Sequence, residues 1–79
     1  MSCYVLINFP EEATPYYTNW WFIDNTDNWT NTQVLEDICL VGELDALDYK
    51  LQRDGIDIVP EELAKDTFST NDIVDVILK

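Results

Sequence analysis

The sequence predicts a small α+β domain: a short antiparallel β-sheet with two to three helices packed on one face. Three observations lead there. Stretches rich in β-branched and aromatic residues stand near the N-terminus and recur downstream, as strands require. Between them, the segment opening at Thr30 carries a helix start signal and helical spacing of apolar residues. And 79 residues, 47% of them hydrophobic and 13% aromatic, suffice for one core in a single domain spanning 1–79.

The first element is Cys3 to Phe9, a strand ending at Pro10. Val5, Ile7 and Phe9 share one face, Tyr4 and Leu6 the other; apolar residues on both suit a central strand. Pro10 and Pro15 bracket a loop. Tyr16 to Asp24 reads as a second strand, pairing with the first as a hairpin. Alternation puts Trp20 and Phe22 on one side, Trp21 and Ile23 on the other. Trp20 and Phe22 are expected in the core with Val5, Ile7 and Leu44. Trp21, Trp29 and Tyr17 are left partly exposed.

Thr30 and Gln33 fit a capping box, and Val34, Ile38 and Val41 follow at helical spacing. Gly42 interrupts. Leu40, Leu44, Leu47 and Leu51 form a second stripe, so a second helical segment is expected beyond a break at Gly42. Glu43 and Asp45 near its start, Lys50 and Arg53 in its last turn and Gly55 just past the end agree with that reading. Ile56 to Val59 offers a short third strand, and Pro60 with Glu61 and Glu62 the first turn of a brief helix. The tail carries conflicting signals. Ser69 and Asp72 resemble a cap, with Phe68 and Ile73 as a staple, while Ile73, Val74, Val76 and Ile77 are strand formers; the cap signals favour a helix.

The chemistry is as informative for what is missing. The chain has no histidine, which removes the commonest general base and zinc ligand. Ser2 and Ser69 lie in no nucleophile elbow. Gly42 and Gly55 cannot form a phosphate-binding loop. Cys3 and Cys39 make no CxxC pair; a disulfide between them is conceivable, but two buried free thiols fit a reducing compartment better. Asp24 to Trp29 alternates oxygen ligands, yet Trp29 and Leu35 stand where a calcium loop needs Gly and Glu, so an Asx-rich turn is the better reading. The sequon Asn28-Trp29-Thr30 is read as chance. No enzyme activity and no cofactor are expected. No apolar run is long enough to span a bilayer and the start lacks a basic signal region, so a cytoplasmic location is expected, that of the host if the chain is phage-encoded.

Charge dominates. Sixteen acids against four bases give a net charge of −12, and no Lys or Arg precedes Lys50. Such a chain repels nucleic acid and anionic membranes and attracts basic protein surfaces. In the expected helices, Asp45 with Asp48, Glu62 with Asp66 and Asp72 with Asp75 are like-charge neighbours about 5–6 Å apart. That interval is similar to the phosphate spacing of a nucleic-acid strand.

In size and charge the chain resembles the small acidic proteins with which bacteriophages block host nucleic-acid enzymes, anti-CRISPR proteins and DNA mimics among them. The likeness is one of composition and carries over no residue role. The Asp-Ser-Leu of acyl carrier proteins is absent, and the last residues are Val76-Ile77-Leu78-Lys79 where ubiquitin-like sulfur carriers end in Gly-Gly.

The expected function is therefore an acidic inhibitor occupying the basic groove of a nucleic-acid enzyme, with no direct nucleic-acid or membrane binding. The expected contact set is Asp24, Asp27, Trp29, Glu36, Asp37, Asp45 and Asp48. The alternative is an adaptor that self-associates or joins an assembly through aromatics and a strand edge, the acids serving solubility. Either form is expected as a monomer or homodimer.

Overall fold

The computed structural model describes residues 3–11, 13, 20–23 and 28–79. In chain order the elements are β1 (Cys3–Asn8), β2 (Trp20–Ile23), α1 (Asn31–Val41), a 3₁₀ turn (Ala46–Asp48), β3 (Tyr49–Arg53), β4 (Ile56–Asp57), α2 (Ala64–Thr67) and β5 (Ile73–Leu78). The five strands form one sheet in the order β2-β1-β5-β3-β4. The β1–β2 hairpin is antiparallel as expected, with Cys3 opposite Ile23 and Val5 opposite Trp21. The sheet is mixed rather than antiparallel, because β1 pairs with β5 in parallel. No helix among the described residues is long and apolar enough to cross a membrane.

The core lies on one face of the sheet. Cys3, Val5 and Ile7 of β1, Ile23 of β2, Tyr49 and Leu51 of β3 and Val74 and Val76 of β5 pack against Val34, Ile38 and Cys39 of α1. Alternation along each strand makes this possible, since every second side chain points to the same side. Both cysteines are buried and no disulfide joins them, as expected.

Helix α1 starts where its cap signal placed it. The Gln33 N–H donates to the Thr30 hydroxyl and the Thr30 N–H donates to Gln33 Oε1, closing the capping box. It stops at Gly42, with a twist in the detail. Glu43, not Gly42, takes the left-handed backbone (φ 58°). The Leu44 N–H then reaches the Cys39 carbonyl at 2.8 Å and the Glu43 N–H the Leu40 carbonyl at 3.4 Å, the Schellman pattern of a helix end. Gly42 is small for another reason: a Cβ there would sit 3.2 Å from the Phe9 ring.

Three expectations fail. The helix expected beyond Gly42 is a 3₁₀ turn followed by β3. Its leucine stripe does not form a face, for Leu40 and Leu47 are exposed while Leu51 is buried in the sheet. Asp54 and Gly55, both at positive φ (56° and 78°), make the two-residue turn of a β3–β4 hairpin instead of a helix cap. The tail is strand β5, not a helix, held between β1 and β3. The Ser69–Asp72 signal is real but closes a turn: the Ser69 N–H donates to Asp72 Oδ2 at 2.8 Å, and Phe68 is buried in the core while Ile73 is exposed. Finally, the faces of β2 are reversed. Trp20 and Phe22 are exposed, whereas Ile23 is buried and Trp21 packs against the core. Pairing decides this: the inward Cys3 and Val5 bring Ile23 and Trp21 to the core side. Residues 16–19 of the expected second strand, Tyr17 among them, lie outside the described residues.

Of the brief helix expected after Pro60, Ala64–Thr67 is helical. Ahead of it, Pro60 to Leu63 crosses the start of α1, accepting from the Asn31 and Thr32 N–H groups through the carbonyls of Glu62 (2.9 Å) and Pro60 (3.1 Å).

Candidate interaction surface

With every helix on one side, the other face of the sheet is uncovered among the described residues, and strand register writes two rows across it. In one, Trp20 of β2 stands opposite Leu6 of β1, which stands opposite Ile73 of β5. Beside it, Tyr4 opposes Phe22, the rings tilted by 55° with centroids 5.0 Å apart, a favourable aromatic geometry. Tyr4 (55%), Trp20 (52%), Phe22 (48%) and Ile73 (53%) all keep about half their surface in solvent. Four large apolar side chains on neighbouring strands of one sheet face make a patch, not the scattered exposure common on any surface.

The second row is polar. Asn8, Asp75, Gln52 and Asp57 follow one another across β1, β5, β3 and β4. Asn8 Nδ2 donates to Asp75 Oδ1 and Gln52 Nε2 to Asp57 Oδ1, both at 2.7 Å. Lys50 adds an ion pair to Asp57 at 3.1 Å. The hydrogen bond from Gln52, then that from Lys50, hold the Asp57 carboxyl below the usual carboxylate range. The open face thus has an aromatic half over β2 and β1 and an ordered polar half over β3 and β4.

The expected contact residues are not gathered on this face. Asp24 and Asp27 lie outside the described residues. Trp29, 37% exposed, precedes α1, where its carbonyl accepts the Ala64 N–H at 2.8 Å. Glu36 is exposed and Asp37 half-buried on α1. Asp45 caps the 3₁₀ turn by accepting the Leu47 N–H at 3.0 Å, and Asp48 ends that turn. Among the described residues of this set, Asp45 and Asp48 share one turn, the Asp48 N–H reaching the Asp45 carbonyl at 3.0 Å, and Glu36 and Asp45 stand on the walls of one groove beside α1. The helical rows of like charge do not form. Glu62 is in a turn, Asp66 in a four-residue helix, Asp72 in a turn and Asp75 on β5.

Sequence reasoning missed Tyr4, Trp20, Phe22 and Ile73 as surface residues. The signal was present for the hairpin: the aliphatic face Cys3, Val5, Ile7 is the better core partner, which turns Tyr4 and Phe22 outward together. Ile73 was hidden by the helix reading of the tail.

The Cys39 thiol is held in its unreactive form. Burial, with the Asp45 carboxylate adding, pushes the Cys39 thiol up to about 11, so it stays protonated at neutral pH. No group of three or more His, Cys, Asp or Glu side chains that could hold a metal occurs among the described residues.

No protein-family model and no curated protein matches the chain. Solved structures do, at the level of the fold. The chain is similar to part of a chain in the crystal structure of the pParkin–pUb–UbcH7 complex (TM-score 0.76, 14% identity), covering 99% of this chain and 23% of that one. It is similar to the ubiquitin of Caldiarchaeum subterraneum (TM-score 0.71, 14% identity), covering 100% of this chain and 95% of that one. It is also similar to a ubiquitin-like domain from Arabidopsis thaliana (TM-score 0.68, 16% identity; 99% and 78% covered). The chain spans about a quarter of the first of these and most of the other two. With its sheet order β2-β1-β5-β3-β4 and one helix packed across the inner face, the chain has the ubiquitin-like, β-grasp fold.

Proposed function

We propose that the chain is a protein-binding domain that docks a partner on the aromatic half of its uncovered sheet face. The observation that carries this is the register-aligned cluster of Tyr4, Phe22, Trp20 and Ile73, each about half exposed. Aromatic side chains of this kind supply the anchors of protein interfaces. The fold agrees with a binding role, since a solved chain of similar fold stands in the pParkin–pUb–UbcH7 complex. The partner is a different protein with a basic margin rather than a second copy. Two chains of net charge −12 repel each other, while a cationic rim around an apolar pocket is attracted.

A second reading keeps the charge as the working part: an inhibitor filling a nucleic-acid-binding groove, as a phage anti-defence protein would. What favours it is the excess of acid itself. Only Lys50–Asp57 and Arg53–Asp72 form ion pairs among the described residues, so most carboxylates face solvent uncompensated. The two readings separate in one experiment. Affinity for a captured partner is measured for the wild type, for Tyr4→Ser with Phe22→Ser, and for Asp45→Lys with Asp48→Lys, at low and high salt. Sheet-face docking is lost in the first variant and persists in salt. Groove inhibition is lost in the second variant and disappears in salt.

A further inference from the structure

On the helix side of the sheet, between α1, the 3₁₀ turn and β3, lies a groove of about 450 Å³. Leu35, Tyr49, Leu51 and Ile58 give it a mostly apolar lining, and its volume falls within the range of ligand pockets. Two features distinguish it from an ordinary crevice.

The first is Asn31, which lines the groove and is 2% exposed. Its Nδ2 donates to the Val59 carbonyl and to Thr67 Oγ1, each at 2.9 Å. The Thr67 hydroxyl proton is committed to the Leu63 carbonyl at 2.9 Å, so Thr67 can only accept from Asn31, and the amide cannot be the other way round. Asn31 Oδ1 is then a buried acceptor with no partner among the described residues. Buried acceptors of this kind are uncommon and call for a donor.

The second is charge. Glu36 and Asp45 line the groove, and neither forms an ion pair among the described residues. Of the two cations that also line it, Lys50 is held by Asp57 at 3.1 Å. That leaves two carboxylates against Lys79, within a chain whose whole field draws cations inward.

We propose that this groove binds a short peptide segment of a partner protein in which an apolar side chain is flanked by Lys or Arg. The apolar side chain packs on Leu35, Leu51 and Ile58. The Asn31 side chain, almost without solvent contact, shifts as the segment seats so that a peptide N–H supplies the donor its Oδ1 lacks, and the basic side chain meets Glu36 and Asp45. The site is separate from the sheet-face patch, and neither depends on the other.

The test is an NMR titration of the ¹⁵N-labelled full chain with acetyl-Arg-Leu-Arg-amide, with acetyl-Glu-Leu-Glu-amide as its counterpart. Saturable shifts centred on Leu35, Ala46, Leu51, Ile58 and the Asn31 side-chain amide are expected with the basic peptide only. Glu36→Lys, an exposed helix position, weakens binding by about fivefold or more through charge reversal, and Ala46→Phe, which fills the groove, abolishes it. The proposal is overturned by no response at millimolar basic peptide, by an equal response to the acidic one, by unchanged affinity in Glu36→Lys, or by shifts confined to Tyr4, Trp20 and Phe22. The last outcome would leave the sheet-face reading standing while removing the groove.

Discussion

Arg53 Nη1 lies 2.7 Å from Asp72 Oδ2 and also donates to the Thr67 carbonyl, so the end of β3 is tied to the turn that launches β5. Asp72 in turn accepts the Ser69 N–H. From that turn, the Asn71 N–H reaches the Tyr4 carbonyl and the Leu6 N–H reaches the Asp72 carbonyl, both at 2.8 Å. One guanidinium thus steadies the strand that carries Ile73 against the strand that carries Tyr4. Arg53→Ala is expected to lower stability by about 1–2 kcal/mol, reduced from a fully buried pair because both side chains retain solvent contact. Urea denaturation of the two chains checks this.

Helix α1 ends with a glutamate in the left-handed region, at Glu43. Glycine adopts that conformation without the Cβ penalty, so Glu43→Gly should raise stability by about 1 kcal/mol. Gly42→Ala should do the opposite, because its Cβ meets the Phe9 ring at 3.2 Å. Thermal melts of both variants give the two signs directly.

Cys39 offers a pH prediction. Its thiol is raised from 9.0 to about 11 in the fold, so the folded state disfavours the thiolate. Its contribution to stability is complete below the unfolded value and is lost as pH rises through the folded one, between about 9 and 11. Below that window, iodoacetamide should leave Cys39 unmodified in the native chain and label it in urea, as peptide mass spectrometry would show.

Truncation should cost far more in the core beneath α1 than on the open face of the sheet. Ile38→Ala, in the core, is expected to cost about 2–5 kcal/mol. Phe22→Ser, on the open face, should cost about 1 kcal/mol, the size of one cross-strand aromatic pair. Denaturant midpoints for these variants distinguish a core residue from a contact residue.

How legible was all this in the sequence? The parts set by local chemistry were: β1 by its β-branched run, α1 by the Thr30–Gln33 box, the hairpin of β1 with β2. What failed was set by pairing across long sequence separations. The leucines at 40, 44, 47 and 51 mimic a helical stripe by spacing alone. Asp54-Gly55, flanked by Leu51 and Ile56, was the stronger signal and pointed to a hairpin. The tail was misread because cap residues Ser69 and Asp72 close a turn as readily as they start a helix, leaving the strand propensity of Ile73 to Ile77 to prevail once β1 and β3 flank it. The candidate surface was hardest to foresee. Which side of β2 meets the core depends on its register against β1, and Ile73 joins the patch only through the parallel β1–β5 pairing. Residues chosen for charge, such as Glu36 and Asp45, could be found singly but not their common groove.

The most direct test of sheet-face docking is partner affinity for the Tyr4→Ser, Phe22→Ser double variant in a high-salt buffer. Docking on this face predicts that the wild type still binds in high salt and that the double variant, folded by circular dichroism, does not. Equal binding by both chains, or binding that vanishes in salt and survives the substitutions, would contradict it and return the acidic surface to the centre.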